Sequence, residues 1–497
     1  MATQNSRRKS PVSSRRRHSR RTSAATRQTF PRVRMYRHGL GDCFLLSFPK
    51  KDGTLFNILI DCGALNRTKE QMEALAEHIK ASVTQGEKAR IDLVVATHEH
   101  KDHLCGFNQA RDIFDSIEIG AVWMGWTENL SEAEASALKS AKKAVLKKLH
   151  NALRSPFADS AVLTNVRGLL GFEDDELPGT GTIAEALQYL KKRGGPNTRY
   201  LSPGEGPIEL PEVDDVRVYV LGPPKDPTLL KRSGVTERMK RESVIYHLAR
   251  LGLDGLAALD AAVSVGTAGN DLLAERYHPF AAQQRISRNS PCFKHIEEFV
   301  SASYDEPKHD WRQIDEDWLG AFGQLALHLD NDTNNTSLVL AFEFVSTGEV
   351  LLFVGDAQVG NWQSWGTVTF KKPDGSHVAA HDLIRRTVFY KVGHHCSHNA
   401  TMKSGGLELM ESDKLVAFVP LDCETASMQG RKDPKTDKPK GWDMPAKPLY
   451  ERLLQKTNGR VVLSDRKRKL PKDAETFGIR TDPEKTYVDY EIKPAKP

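Results

Sequence analysis

The sequence predicts an α/β protein whose layered core is interrupted by two insertions. The apolar segments "CFLLSF" and "TLFNILIDCG" are typical of buried strands, and a helix is predicted near Lys69–Lys80. The β-branched segment "RIDLVVAT" follows as a third strand, ending at Ala96. Strand, strand, helix and strand in this order favour α/β layers.

Helical signals dominate the next stretch of the chain. After a fourth predicted strand, "IEIGAVWMGW", two capping boxes precede apolar-periodic runs: Ser131 with Glu134, and Thr182 with Glu185. They indicate a first, largely helical insertion at about residues 127–197.

Strand character then returns and is interrupted once more. The segment "VRVYVLGPP" predicts a strand that stops at two prolines, and residues 225–317 form a second insertion, irregular and rich in charge. Three further strands are predicted from "TSLVLAFEFV", "VLLFVGDA" and "TVFYKVG". The core is expected to run to about residue 470, with residues 471–497 as a C-terminal extension.

Charge is distributed unevenly along the chain. The net charge is +6, but residues 1–34 carry eleven Lys or Arg residues and no acid, which leaves 60 basic and 65 acidic residues in the body. Residues 1–33 are rich in Ser and Arg and poor in apolar residues, so they are predicted to be a disordered, solubilising tail. Polyanion contact through residues 7–34 and a transit peptide are the alternatives. The acidic body does not indicate a long nucleic-acid groove.

Cysteine usage and hydropathy bear on the compartment. Six cysteines are scattered without CxxC spacing, which favours buried thiols in a reducing environment over a disulfide framework. No apolar run is long enough to cross a bilayer, and no secretory h-region follows the charged N-terminus. A cytoplasmic protein without a membrane span is expected.

The most informative motif is "THEHKDHLCGF" (Thr97–Phe107), directly after a predicted core strand. His98 and His100 alternate in extended backbone, so their rings point to the same side, and Asp102 and His103 follow in a predicted turn. Such a cluster can bind two metal ions a few ångströms apart. Hydrogen-bonded histidines in a polar turn are the less favoured alternative.

This motif and several other segments of the sequence resemble those of a known family. HxHxDH after a hydrophobic strand is similar to the signature of the metallo-β-lactamase fold, and Asp61 in "ILIDCG" matches that fold's first aspartate. "HGLGDCFLLSF", "NNTSLVLAF", "VLLFVGDA" and "YKVGHHCSHNAT" resemble blocks of the hydrolase domain of the competence protein ComEC and its soluble relatives. The resemblance covers most of residues 34–126, 198–222 and 318–466. It implies a four-layer αββα metallo-β-lactamase fold over residues 34–470.

The resemblance also implies a set of metal ligands. The first metal ion would be bound by the two alternate histidines, the second by the aspartate and histidine that follow, and a later aspartate would bridge both ions. The implied ligands are His98, His100, Asp102, His103, Asp356 and His394.

Two neighbouring histidines compete for the last ligand position. His394 aligns with the single histidine of related lactonases and is preferred, so His395 is expected to support the ligands or face the substrate. Asp61 is expected to orient a histidine or the strand–loop junction.

The motif set departs from the wider family in two places. A third histidine for the first metal is missing, and the position reads "NNTS", so Asn334 or water is expected to fill it, with His328 in reserve. Cys396 stands where the subgroup has glycine; an inert small side chain is expected, although a thiol there could crowd the loop or approach a metal.

The resemblance implies a metal-dependent hydrolase that uses a metal-bridged hydroxide, with Asp102, Asp356 and His395 in the chemistry. Two divalent ions are expected; histidine and carboxylate ligands suit zinc, with manganese or iron as alternatives. A phosphodiester, in a small molecule or a nucleic acid, is the preferred substrate. Lactones, thioesters and β-lactams fit the same centre, and a non-catalytic metal-binding regulatory module is the second hypothesis.

Overall fold

The structure is a computed structural model that describes residues 30–153, 166–167, 169–171, 181–232, 286, 289–305, 319–429 and 441–492. Residues 1–29 of the predicted Arg-rich tail and most of the second insertion lie outside these residues. The architecture is mixed α/β with several sheets, as the strand and helix patterns predict. None of the helices in the described ranges combines the length and apolarity needed to cross a membrane.

The first sheet joins both ends of the described chain. Its eight strands are, in spatial order, β19 (Ile479–Thr481), β20 (Tyr487–Glu491), β1 (Arg32–Tyr36), β2 (Phe44–Pro49), β3 (Leu55–Ile60), β6 (Leu93–Ala96), β8 (Val122–Gly125) and β9 (Thr198–Leu201). Strands β3, β6, β8 and β9 run parallel, whereas β19, β20, β1, β2 and β3 pair antiparallel.

This pairing changes both predicted domain boundaries. Strand β20 pairs with β1, so residues 479–491 belong to the sheet rather than to a separate extension. Val33 is fully buried in β1, so the folded chain begins before residue 34. Strands with so few residues carry little signal on their own, and only tertiary pairing defines them.

The second sheet contains the later predicted strands. Its order is β10 (Ile208–Leu210), β11 (Val213–Gly222), β12 (Val339–Phe344), β13 (Val350–Phe353), β16 (Thr387–Lys391), β17 (Val416–Val419) and β18 (Val461–Leu463). Strands β13, β16, β17 and β18 are parallel. Two small sheets contain β4 (Thr84–Gln85), β5 (Lys88–Ile91) and β7 (Glu118–Ile119), and β14 (Thr369–Lys371) and β15 (His377–Ala379).

The α-helices lie between these strands in the chain. They are α1 (Lys69–Val83), α2 (Lys101–Gln109), α3 (Arg111–Asp115), α4 (Ala133–Leu153), α5 (Ile183–Gly194), α6 (Pro227–Leu230), α7 (Glu297–Val300), α8 (Leu319–Asn335), α9 (Val359–Ser364), α10 (Ala380–Arg385), α11 (Cys423–Ser427) and α12 (Lys447–Lys456).

Three large hydrophobic clusters in the described residues hold the sheets and helices together. One contains side chains of both large sheets, with the rings of Phe44 and Phe353 at 5.7 Å and edge to face. A second contains residues of the first sheet together with α1, α2 and α5. The third contains residues of the second sheet together with α9, α10 and α12, including Trp362 and Leu449. Removal of these apolar surfaces from water is the main stabilising term.

Helix starts agree with the sequence at one of the two predicted capping boxes. Thr182 caps α5 and exchanges hydrogen bonds with Glu185, as predicted. Ser131 does not cap α4, which begins at Ala133; its hydroxyl donates to the side chain of Asn129 instead. The Asn129 side chain takes the hydrogen bond of the Ser131 hydroxyl in place of the helix start, because Asx turns form locally at low cost.

Candidate metal centre

The predicted site residues follow the carboxyl ends of parallel strands in both sheets. Asp61 follows β3, and the HxHxDH motif follows β6 in the first sheet. Asp356 follows β13, and the "HHC" loop follows β16 in the second sheet. Loops at the ends of adjacent parallel strands emerge together, and here the two sheets bring two such edges face to face.

Four buried side chains from the two sheets converge. Single ligand atoms of Asp102, His103, Asp356 and His395 all lie within 4.8 Å of one another. His395 Nε2 is 2.8 Å from Asp102 Oδ2, and His103 Nε2 is 3.2 Å from Asp356 Oδ2. Asp102 and His103 lie in the first turn of α2 rather than in the predicted turn. The helix points both side chains at the second sheet.

His98 and His100 form an adjacent pair. His98 Nε2 and His100 Nδ1 are 3.0 Å apart, and both residues are almost fully buried. The ring of His98 also lies 4.2 Å from that of His103, measured between centroids. His98 and His100 are alternate residues after β6, and their positions bring two imidazole nitrogens to one point beside the four-residue cluster. There they could bind a first metal ion.

Asp61 supports the cluster from behind. Its carboxylate accepts from the Thr97 backbone N–H at 2.8 Å and from the Thr97 hydroxyl at 2.7 Å, and it lies 2.7 Å from His103 Nδ1. Asp61 thus contacts both a histidine and the strand–loop junction. A carboxylate at Nδ1 fixes the hydrogen there and leaves the Nε2 lone pair directed into the cluster.

His395 is oriented in the same way by a backbone carbonyl. Its Nδ1 is 2.7 Å from the Pro420 oxygen, so Nδ1 carries the hydrogen and Nε2 faces Asp102. Burial alone lowers the pKa of His395, but the hydrogen bond to Asp102 and the nearby carboxylates raise it overall. The surroundings of Nε2 therefore favour a positive charge, either a proton or a metal ion.

The structure brings the less favoured of the two loop histidines into the cluster. His395, not His394, contributes to the four-residue cluster. The side chain of His394 is directed to Ser397, whose hydroxyl oxygen lies 2.8 Å from His394 Nδ1. Positive φ angles of 41° and 49° turn the chain sharply at these residues, and sequence alignment to a single-histidine motif could not reveal which ring faces inward.

Sequence reasoning missed two charged residues beside Asp356. The ammonium group of Lys391 donates to Gly355 O at 2.6 Å and Asp356 Oδ1 at 3.0 Å, and it pairs with Asp42. Lys391 is buried and its partners raise its pKa although burial opposes them. The signal was present: both residues lie in quoted motif blocks, and a lysine inside an apolar strand requires buried acids.

Lys391 also fixes how Asp356 presents its carboxylate. Oδ1 accepts from Lys391 and, at 2.8 Å, from the backbone N–H of His394. Oδ2 is therefore the oxygen left facing His103 and the cluster. Burial raises the pKa of Asp356, but Lys391 and His103 outweigh it and hold the pKa well below its ordinary value. Asp356 is a carboxylate at neutral pH.

Close backbone packing holds Asp42 against α2. Its N–H donates to Asp102 O at 2.9 Å, and a Cβ at Gly41 would lie 2.5 Å from the same oxygen. Gly41 has φ +151°, which only glycine adopts readily. The "GLGD" turn therefore requires glycine because it touches the helix that carries two of the cluster residues.

Helix α8 borders the first histidine pair. Asp330 Oδ1 lies 3.9 Å from His100 Nε2, and Asp330 Oδ2 accepts from Asn334 Nδ2 at 3.2 Å. Asn334 is fully buried and its Oδ1 has no hydrogen-bond partner within the described structure. The side chain of His328, the reserve candidate, lies outside the described residues.

Cys396 is directed away from the centre. Its side chain is fully buried in the hydrophobic cluster of the second sheet, and burial raises the pKa of its thiol. It has φ +63°, in the left-handed region where the related motif has glycine. The thiol is thus a core side chain, as expected.

The first insertion contacts the metal motif through Glu99. Helix α4 supplies Lys139 and Lys142, which pair with the Glu99 carboxylate, Lys142 at 3.3 Å. Glu128 and Lys191 extend this group, with Lys191 Nζ 3.7 Å from Glu128 Oε2. Glu99 stands between the two alternate histidines, so the insertion helix is attached directly to the loop that carries the candidate ligands.

The donor set fits divalent metal ions. His103 Nε2 and Asp102 Oδ1 are buried without a hydrogen-bond partner in the described structure, although each such loss costs about 1–3 kcal/mol. A bound cation would satisfy both, and imidazole nitrogens with carboxylate oxygens suit zinc.

Comparisons of the chain with protein-family models, curated proteins and solved structures find no match. The family resemblance therefore rests on the motifs.

Proposed function

We propose that the protein is a dinuclear metal-dependent hydrolase of the metallo-β-lactamase fold, in the ComEC-like subgroup. The observation that carries the proposal is the convergence of Asp102, His103, Asp356 and His395 within 4.8 Å. A purely structural polar cluster would pair its buried atoms, whereas here His103 Nε2 and Asp102 Oδ1 have no hydrogen-bond partner within the described structure.

The arrangement of the sheets supports the fold assignment. Two large sheets share one hydrophobic cluster, and each has a further cluster with helices. That packing is compatible with helix, sheet, sheet and helix layers, and the candidate centre lies at the carboxyl ends of strands in both sheets.

The residues fall into two ligand groups. His98 and His100 would hold one ion, with Asn334 as a further oxygen donor, while Asp102, His103 and His395 would hold the other. Asp356 Oδ2 is the oxygen available to both. Bound divalent ions would lower the pKa of a water molecule and polarise the bond to be cleaved.

The remaining residues of the centre prepare the ligands. Asp61 and the Pro420 carbonyl hold hydrogens on the Nδ1 atoms of His103 and His395, so both Nε2 lone pairs are available. Lys391 holds Asp356 in one orientation. A preorganised, buried and charged site of this kind suits the stabilisation of charge that develops during hydrolysis.

A phosphodiester is the proposed substrate class, on the strength of the ComEC-like blocks. Metal analysis of the purified protein should give two ions per chain, and a panel of bis(p-nitrophenyl) phosphate, a lactone, a thioester and a β-lactam should show cleavage of the phosphodiester. His103→Ala should lose metal and activity, whereas His377→Ala, at an exposed position, should retain both. Two bound ions with no cleavage of any substrate would favour the non-catalytic module, and no bound metal would refute the proposal.

A further inference from the structure

His394 lies at the margin of the metal centre without entering the cluster. Its backbone N–H donates to Asp356, but its ring centroid is 6.2 Å from that of His395. His395 is fully buried, whereas His394 retains partial exposure. Consecutive left-handed residues, with φ of 41°, 49° and 63° at His394, His395 and Cys396, separate the two rings. Backbone strain of this kind is typical of functional loops.

A chain of side-chain amides fixes the hydrogen on the His394 ring. Asn399 Nδ2 donates to Gln358 Oε1 at 2.8 Å and to Asn331 Oδ1 at 3.2 Å. This leaves the Gln358 amide nitrogen to donate to His394 Nδ1 at 3.1 Å. The Ser397 hydroxyl oxygen lies 2.8 Å from both His394 Nδ1 and Asn399 Oδ1, and its one hydrogen can be donated to Nδ1. The remaining contact of Nδ1, with Asn399 Oδ1, is longer at 3.4 Å. Because Nδ1 accepts a hydrogen bond, the neutral ring carries its hydrogen on Nε2.

The Nε2–H group is left for a ligand. Within the described structure His394 Nε2 has no protein partner, although the ring lies beside the candidate metal ligands. A donor in this position can meet an oxygen of the substrate next to the reacting bond.

We propose that His394 is a substrate-binding catalytic residue whose neutral Nε2–H donates a hydrogen bond to a substrate oxygen, while His395 is the metal ligand. The inference rests on the proposed hydrolase function. The hydrogen bond strengthens as negative charge develops on that oxygen, so it favours the transition state over the ground state. Gln358 and Asn399 are positioning residues that act through His394.

Metal content separates the two histidines independently of activity. His394→Ala should bind two zinc ions per chain with wild-type affinity, whereas His395→Ala should lose one ion. If His394→Ala loses zinc as His395→Ala does, His394 is a ligand and the inference is overturned. This comparison holds even if no substrate is found, so its failure is distinct from that of the hydrolase proposal.

Kinetics test the donor itself. On bis(p-nitrophenyl) phosphate, His394→Ala should lower kcat about 10²–10³-fold, the usual loss for one donor to developing charge, with little change in KM. An unchanged kcat in the zinc-loaded variant would overturn the inference.

The amide chain has its own readout. In ¹⁵N NMR spectra of the zinc-loaded protein, His394 should be the Nε2–H tautomer, and Gln358→Met should give a mixture of tautomers with unchanged zinc content. Gln363→Met, in helix α9 that Gln358 directly precedes, is the matched control and should leave the tautomer as in the wild type. An Nδ1–H tautomer in the wild type would contradict the assignment.

Discussion

His395 Nε2 lies 2.8 Å from Asp102 Oδ2, and this contact joins residues 293 positions apart in the sequence. Each residue stands at the end of a different sheet, so the contact exists only when both sheets are assembled. The Pro420 carbonyl contacts Nδ1 on the far side of the His395 ring. Nε2, beside Asp102, is therefore the ring nitrogen that could bind a metal ion. Metal binding should therefore stabilise the folded chain as a whole, since it links the two sheets.

Asp356 should matter more than Asp61 for metal binding and turnover. Asp356 Oδ2 faces the cluster, whereas Asp61 acts through His103 and Thr97. Asp356→Asn should abolish hydrolysis with partial loss of metal, while Asp61→Asn should leave measurable activity, because partners behind a ligand typically contribute 10–100-fold. Both variants need equal thermal unfolding in excess zinc for the comparison. Equal residual rates would refute the bridging role of Asp356.

Part of the candidate site could be predicted from the sequence because its residues follow strand ends. HxHxDH after β6 is a local pattern, whereas Asp356 after β13 was expected beside it only because of the family resemblance, since β6 and β13 lie in different sheets. The choice of His395 over His394 could not be predicted, because it depends on positive φ angles in three consecutive non-glycine residues. Asp42 and Lys391 were missed for a related reason: their pairing is tertiary, and neither has a ligand spacing of its own. Pairing of β20 with β1 likewise joins opposite ends of the chain.

The N-terminal tail should be removable only up to residue 29. Val33 is fully buried and Arg32 begins β1, so deletion of residues 1–29 should leave zinc content and thermal stability unchanged. Deletion of residues 1–33 should lower the unfolding temperature because it removes a core side chain and part of a sheet strand. Polyanion binding, measured as a function of salt concentration, would report any separate role of the tail. Loss of metal in the shorter deletion would contradict the tail's dispensability.

Glu99→Gln should loosen the first insertion without removing a metal ligand. The substitution weakens the contacts with Lys139 and Lys142 and leaves two partly buried lysines with less compensation. Limited proteolysis should cut within α4 faster than in the wild type, while zinc content stays near two ions per chain. Glu411→Gln, in an exposed surface pair, is the control. An unchanged cleavage rate would show that Glu99 does not hold the helix.

His38 should make folding stability depend on pH. Burial lowers its pKa to about 4, although its ring nitrogens contact Gly63 O at 2.7 Å and Tyr36 O at 3.2 Å. The unfolded chain therefore takes up a proton near pH 6.5 that the folded chain refuses until about pH 4. Stability is full above pH 6.5 and falls as the pH is lowered through this window, by about 3 kcal/mol at most, at about 1.4 kcal/mol per pKa unit. Urea unfolding of His38→Gln should show a shallower loss over this range than His377→Gln, and identical slopes would refute the assignment.

Lys391→Met should destabilise the metal-free protein and weaken metal binding. The substitution leaves the buried carboxylates of Asp42 and Asp356 without their ammonium partner, and breaking a buried pair costs about 3–5 kcal/mol. Zinc should recover part of the lost stability, because the ions would bring positive charge to the same carboxylates. The affinity for zinc should still fall about 10–100-fold, since Asp356 Oδ1 is no longer held and the carboxylate can rotate.

The double variant Lys391→Met with Asp42→Asn restores the balance of charge without restoring the hydrogen bond to Asp356, so it should regain stability but not zinc affinity. Lys414→Met, which removes an exposed pair with Glu349, is the control for loss of a lysine. If Lys391→Met unfolds no more readily than Lys414→Met, Lys391 does not stabilise the buried carboxylates. If the double variant regains full zinc affinity, Lys391 acts only by balancing charge. Either result would refute its role in orienting Asp356.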